Sequence, residues 1–168
     1  MKRKKKNTEA LTPMEQVDAL LTKVHVFYVA TVEDDQPRVR PFGAHLYKDG
    51  TIWFITGKGK DVSRQLHKNP KLELCGYADG TWLRLTGEAV FVDDPDLGRE
   101  MLAHAPNMAR KFYKSPLFVQ KAILRKMPGL NNMVRAGVPY EEGMEPFYVK
   151  NMKVTEYHLR EKNQTFDL

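Results

Sequence analysis

The chain has 168 residues, 42% hydrophobic and 29% charged, with seven Tyr, eight Phe and two Trp. That is enough apolar material for one domain with a packed core, and it excludes a disordered chain. The net charge of +6 sits mostly in Lys2, Arg3, Lys4, Lys5 and Lys6; 27 Lys and Arg less these five leaves 22 against 21 acidic residues, a body of +1. A near-neutral body carries no broad basic footprint, so nucleic acid is not an expected partner.

No apolar run approaches the roughly 20 residues that a membrane helix needs. Polar Asn7-Thr8-Glu9 follow the basic start, where a secretory signal would turn apolar. The single cysteine, Cys75, excludes an intrachain disulfide and a multi-cysteine zinc site. These features predict a cytoplasmic protein with no membrane partner. Residues 1–10 read as a basic disordered arm, and 11–168 as one domain.

The first predicted element is a helix from about Pro13 to Lys23. Thr12 and Glu15 form a T-x-x-E capping box around Pro13 in the first turn. Val17, Leu20, Leu21 and Val24 supply its apolar stripe. A strand follows from His25 to Val32, then a polar turn over Glu33–Gln36, then a second strand from Pro37 to Tyr47. Asp49-Gly50 is a two-residue hairpin signal, because both central positions of such a turn need positive φ. Thr51 to Thr56 is the third strand. Gly57-Lys58-Gly59 ends it, and a short helix runs from about Lys60 to Lys68.

Lys71 to Tyr77 is the fourth strand, with Cys75 expected to be buried and inert among its apolar neighbours. A second hairpin at Asp79-Gly80 leads into a fifth strand, Thr81 to Val92. There Leu83, Leu85, Gly87, Ala89 and Phe91 alternate with Trp82, Arg84, Thr86 and Glu88, so one face packs a core. A helix from about Pro95 to His104 is capped by Asp93 or Asp94. Residues 106–144 read as a helical and loop insertion, with a helix start at Ser115-Pro116. Phe147 to Arg160 returns to strand character, as one bent strand or a hairpin near Asn151. Hairpin-linked strands with few helices between them predict a mainly β, α+β fold: a six- to seven-stranded antiparallel barrel with flanking helices.

The segment from 37 to 91 carries the chemistry. Arg38 and Arg40 alternate along one strand and so share a face. The strand ending in Ile55-Thr56 runs into Gly57-Lys58-Gly59-Lys60, which opens a helix where free N–H groups and the helix dipole favour an anion. Two lysines at a helix start oppose that dipole unless an anion is present. Trp82 and Arg84 lie on the polar face of the fifth strand. Gly57-x-Gly59 does not fit the three-glycine dinucleotide fingerprint. His25, His45, His67, His104 and His158 show no metal-ligand spacing, and His45 is the one placed to approach a ligand.

Residues 25–92 resemble the FMN-binding split-barrel family, the pyridoxamine 5'-phosphate oxidase-like proteins, of the short bacterial type. The matching stretches are FYVATVEDDQPRVRPFG, KDGTIWFITGKGKDVSRQLHKNPKLEL and WLRLTGEAVF. The final FYVKNMKVTEYHL resembles the closing strand of the short bacterial members. The resemblance implies a split β-barrel homodimer with FMN at the subunit interface. Arg38, Val39, Arg40, Pro41 and Phe42 would line the flavin, Ile55, Thr56 and Gly57 would follow the ring and ribityl chain, and Lys58 and Lys60 would hold the phosphate. Trp82 and Arg84 would reach the cofactor or the opposing subunit.

Two departures bear on activity. Where the oxidase proper has an Arg-Lys pair at the helix start, this chain has Asp61 and Val62. Its terminal YHLREKNQTFDL also has no Trp, unlike the oxidase's substrate-binding end. The resemblance therefore implies a flavoprotein oxidoreductase similar to the small flavin reductases and nitroimidazole-resistance proteins, not a true pyridoxamine phosphate oxidase. It would pass hydride or electrons from a reduced donor, with NAD(P)H a candidate, to a small-molecule acceptor. The alternative is a non-catalytic flavin- or haem-binding carrier or sensor.

Overall fold

The structure is a computed structural model, described for residues 10–105, 143–158 and 163–168, with Ser115, Pro116, Phe118, Val119 and Ala122 between them. The basic arm up to Glu9 and, of the 106–144 insertion, nearly all of residues 106–142 lie outside the described residues.

Helix α1, Pro13–Val24, opens the fold. Its N-terminus is the predicted capping box: Thr12 N donates to Glu15 Oε2 at 2.7 Å, and Glu15 N to Thr12 Oγ1 at 3.3 Å. Strands β1 (Phe27–Glu33), β2 (Gln36–Phe42), β3 (His45–Lys48) and β4 (Thr51–Gly57) follow. Then come α2 (Asp61–Lys68), β5 (Lys71–Ala78), β6 (Thr81–Phe91), α3 (Pro95–His104), β7 (Met144–His158) and β8 (Gln164–Asp167). Every ladder is antiparallel, in the order β2-β1-β5-β6-β7-β4-β3 with β8 beside β7. The fold is thus the α+β split barrel, with eight strands among the described residues rather than six or seven.

Two differences raise the count. The segment Pro37–Tyr47 is two strands, not one, and these end opposite edges of the sheet. The chain passes between the edges at Gly43-Ala44, where a Cβ on Gly43 would lie 3.3 Å from the His25 carbonyl oxygen. β8 pairs with β7 from Lys153↔Asp167 to Glu156↔Gln164 and has no counterpart in the predicted elements.

The alternation of β6 holds, with Leu83, Leu85 and Ala89 buried. A bulge interrupts its pairing with β7 between Thr86 and Glu88. Asn151, on β7, takes a positive φ of 52° there, so Met144–His158 is one kinked strand and not a hairpin. The core gathers Phe27, Phe54 and Phe147 with Ile52, Leu74, Leu83, Leu85 and Val154, covered by Val17 and Leu21 of α1 and Val62 and Leu66 of α2. A second cluster seats Leu97, Met101 and Leu102 of α3 on Ile55 and Met144.

Cys75 is exposed, contrary to expectation. Leu72, Leu74 and Gly76 take the inner positions of β5, so strand parity turns Glu73, Cys75 and Tyr77 outward. Partial burial and the neighbouring Glu73 carboxylate push the thiol pKa up, which keeps it protonated and poorly nucleophilic. No helix among the described residues is long and apolar enough to cross a membrane.

Candidate functional site

The corner after β4 is assembled by pairing and by main-chain hydrogen bonds. Thr56 and Gly57 pair with Glu145 and Met144 of β7. Lys58 N donates to Gly143 O at 2.7 Å, and Lys60 N to Gly57 O at 2.9 Å. This turn leaves Lys60 as the extended N-cap of α2, with no side-chain cap. The first-turn N–H groups of α2 therefore stay available, at the positive end of the helix dipole.

Helix α2 is fixed to the sheet by Glu145. Its carboxylate accepts from Ser63 Oγ at 2.5 Å, and its other oxygen lies 3.1 Å from His67 Nε2. The His67 ring also stacks on Phe91, with centroids 4.2 Å apart. Val62 and Leu66 bury the apolar side of the same helix. The N-terminus that carries Lys60 is thus held by packing on one side and a carboxylate clamp on the other.

Two groups at this corner lack the partners that burial ordinarily demands. Thr56 is 2% exposed, and its Oγ1 is buried with no hydrogen-bond partner among the described residues. Such a hydroxyl costs about 1–3 kcal/mol unless something satisfies it. Lys60 is partly buried, and desolvation alone pushes its pKa down, because no carboxylate among the described residues pairs with it. Lys58 is different: its exposed ammonium lies 3.8 Å from Asp93. The two residues at the helix start are elsewhere engaged, Asp61 with Arg64 at 3.0 Å and Val62 in the core.

The arginines of β2 are not free. Arg38 pairs with Glu33 at 2.8 Å. Arg40 turns across β1, where Nη1 donates to Thr31 Oγ1 at 2.6 Å and Nη2 to Gln65 Oε1 at 2.5 Å. Val39 and Pro41 are exposed, and Phe42 packs on Phe27 with ring centroids 6.2 Å apart. Ile55 points away from the barrel interior into the α3 cluster.

Trp82 and Arg84 lie elsewhere. Trp82 stacks nearly parallel on Tyr157, with centroids 5.2 Å apart and planes at 9°. Arg84 Nε donates to Glu73 at 2.5 Å, and that carboxylate raises its pKa. Thr56 pairs with Glu145 and Trp82 with Tyr157, so twelve residues of β7 separate them, about 40 Å of strand path. One chain brings together Thr56, Gly57, Lys58 and Lys60, and leaves Trp82 and Arg84 at the far end of β7.

Sequence reasoning missed Gln65, Thr31, Ser63 and Glu145. Gln65 and Ser63 sit on a short amphipathic helix where nothing local marks a buried polar side chain. Glu145 adjoins the stretch with no readable periodicity. The assembled corner can bind an anion through one ammonium, one hydroxyl and free amides. Among the described residues no group of three His, Cys, Asp or Glu could hold a metal ion.

The pyridoxamine 5'-phosphate oxidase family model matches residues 13–128. No curated protein matches the chain. Among solved structures, a NimC/NimA family protein from Clostridium acetobutylicum is 28% identical with a TM-score of 0.64, covering 92% of each chain. A pyridoxamine 5'-phosphate oxidase-related, FMN-binding protein from Nostoc punctiforme is 15% identical with a TM-score of 0.58, covering 95% of this chain and 98% of its own. A haem-binding protein from Mycobacterium smegmatis is 11% identical with a TM-score of 0.61, covering 95% of this chain and 60% of its own. With more than two thirds of its length matched by the family model, and with the same fold, this chain belongs to the pyridoxamine 5'-phosphate oxidase family.

Proposed function

We propose that the chain is an FMN-binding flavoprotein that works as an oxidoreductase and not as a pyridoxamine phosphate oxidase. One observation carries the reading: Lys60 holds a partly buried ammonium with no counter-ion among the described residues, at an uncapped helix N-terminus that follows the Thr56 hydroxyl, itself without a partner among those residues. A phosphate ester fits such a place. It would accept from the first-turn amides of α2 and from Thr56, and would neutralise Lys60, with Lys58 at the rim. When bound, the flavin supplies the redox chemistry, and the protein supplies binding and electrostatics.

The second copy of a homodimer accounts for the separation of Trp82 and Arg84 from the corner. Tyr28, Val39 and Tyr77, all more than half exposed, lie on strands β1, β2 and β5 and offer apolar surface for that contact.

The visible spectrum of the purified chain tests cofactor binding. A flavin spectrum, or uptake of added FMN weakened at least tenfold by Lys60→Ala, supports the site; a protein that takes up no FMN overturns it. Stopped-flow mixing with NADH and NADPH then tests turnover. Bleaching of the flavin supports an oxidoreductase, and a flavin that no donor reduces favours a carrier.

A further inference from the structure

A cleft of about 640 Å³ lies between α1 and β3, away from the lysine corner. Asp18, His25, His45 and His104 are among its lining residues. The His45 side chain is 13% exposed, and its Nε2 sits 3.1 Å from Asp18 Oδ1. A carboxylate can only accept, so the ring proton is assigned to Nε2 and Nδ1 keeps its lone pair. Burial pushes the His45 pKa down against the pull of Asp18, so the ring is neutral at pH 7. Nδ1 has no hydrogen-bond partner among the described residues. His104 repeats the pattern in reverse: Nδ1 donates to Glu100 O at 2.9 Å, so in the neutral ring the lone pair is on Nε2.

The cleft's charge is equally one-sided. Among the described lining residues Asp18 is the only full charge, with no Lys or Arg. Leu21, Val26 and Leu46 supply apolar wall. The chain enters the rim through a strained turn. His25 has φ 60° and ψ −48°, and Val26 N donates to Val24 O at 2.7 Å across it. Few L residues adopt that conformation, and strain of this kind gathers at ligand sites. No three side chains converge as metal ligands among the described residues.

We propose that this cleft binds a small organic cation, a primary ammonium or amidinium on an apolar or aromatic body. Asp18 supplies the counter-charge, and the imidazole lone pairs of His45 and His104 accept its N–H groups. The inference is independent of flavin binding, because no element of the lysine corner takes part.

Titration calorimetry of the full chain at pH 7.5 with benzamidine, benzamide and benzoate tests it. Benzamidine is expected to bind at one saturable site, benzamide at least tenfold more weakly, and benzoate not at all. Asp18→Asn is expected to weaken benzamidine at least tenfold. Because that variant could misfold, histidine ring resonances of the unaltered protein give a second reading, and benzamidine should shift those of His45 and His104 and leave His67 in place. Equal binding of benzoate, no saturable binding of benzamidine, unchanged affinity in a folded Asp18→Asn chain, or unmoved His45 resonances each overturn the proposal.

Discussion

Arg40 donates its Nη2 to Gln65 Oε1 at 2.5 Å, reaching from edge strand β2 across β1 to a helix side chain that is 3% exposed. The same Gln65 oxygen accepts from Thr31 Oγ1 at 2.6 Å, and Arg40 Nη1 also donates to the carbonyls of Val29 and Arg38. This guanidinium braces β2, β1 and α2 within the chain. Arg40→Ala takes charge-assisted hydrogen bonds from Thr31 and Gln65, which keep only each other, and is expected to cost about 2 kcal/mol, a loss of roughly 4–8 °C in Tm. Arg40→Lys should recover little, because one ammonium cannot reproduce the planar fork. Arg38→Ala, at an exposed pair, should leave Tm nearly unchanged by thermal circular dichroism.

Glu33 should set part of the acid limb of stability. Arg64 first, and then Arg38, hold its carboxyl down to about 2 from an ordinary 4.5. A carboxylate depressed in the fold stabilises above its unfolded pKa, and that contribution fades as pH falls from 4.5 towards 2. Both arginines are largely exposed, so salt screens the effect. Melting curves from pH 6 to pH 2.5 at low salt should show Glu33→Gln losing Tm less steeply than the unaltered chain. Parallel curves would mean that the pairs contribute nothing.

Gly87 is required by close approach. A Cβ there would lie 2.4 Å from Val149 Cγ1 and 2.7 Å from the Lys150 carbonyl oxygen, on the strand bulged against it. The carbonyl belongs to the backbone and cannot swing aside, so Gly87→Ala must push β6 and β7 apart. Overpacking of this kind costs about 1–3 kcal/mol. A urea denaturation midpoint matching the unaltered chain would contradict that reading. Gly76→Ala is the informative contrast, since the nearest atoms its Cβ would meet belong to the Val24 side chain, the first at 2.6 Å.

These differences mark how far local chemistry reaches. Asp49-Gly50 and Asp79-Gly80 are legible because all four residues must take positive φ, and they do. The Thr12–Glu15 box and the Gly57–Lys60 corner are legible for the same reason, since each is complete within a few residues. The break at Gly43 depends on the carbonyl of His25, eighteen residues earlier, which no strand pattern encodes. The Arg40–Gln65 contact spans 25 residues and crosses β1 to reach α2, so the alternation that placed Arg38 and Arg40 on one face could not say what covers it. The β8 segment Gln-Thr-Phe-Asp has little apolar content and becomes a strand because β7 is long enough to pair it.

Lys60 gives opposite expectations for stability and for binding. Its ammonium is desolvated with no counter-ion among the described residues, so its folded pKa lies below the unfolded one. The unfolded chain then binds more protons between those two values, and stability rises with pH through that window, the reverse of a lysine that gains a partner in the fold. Lys60→Met keeps the apolar stem, removes the uncompensated charge, and should raise the Tm of the ligand-free protein by a few degrees, roughly 1 kcal/mol. The same change should weaken FMN at least tenfold, because the phosphate loses the cation that it would neutralise. Differential scanning fluorimetry with and without FMN separates the two effects. A variant that loses Tm without ligand would show that Lys60 has a structural partner, and one that keeps full FMN affinity would place the phosphate elsewhere.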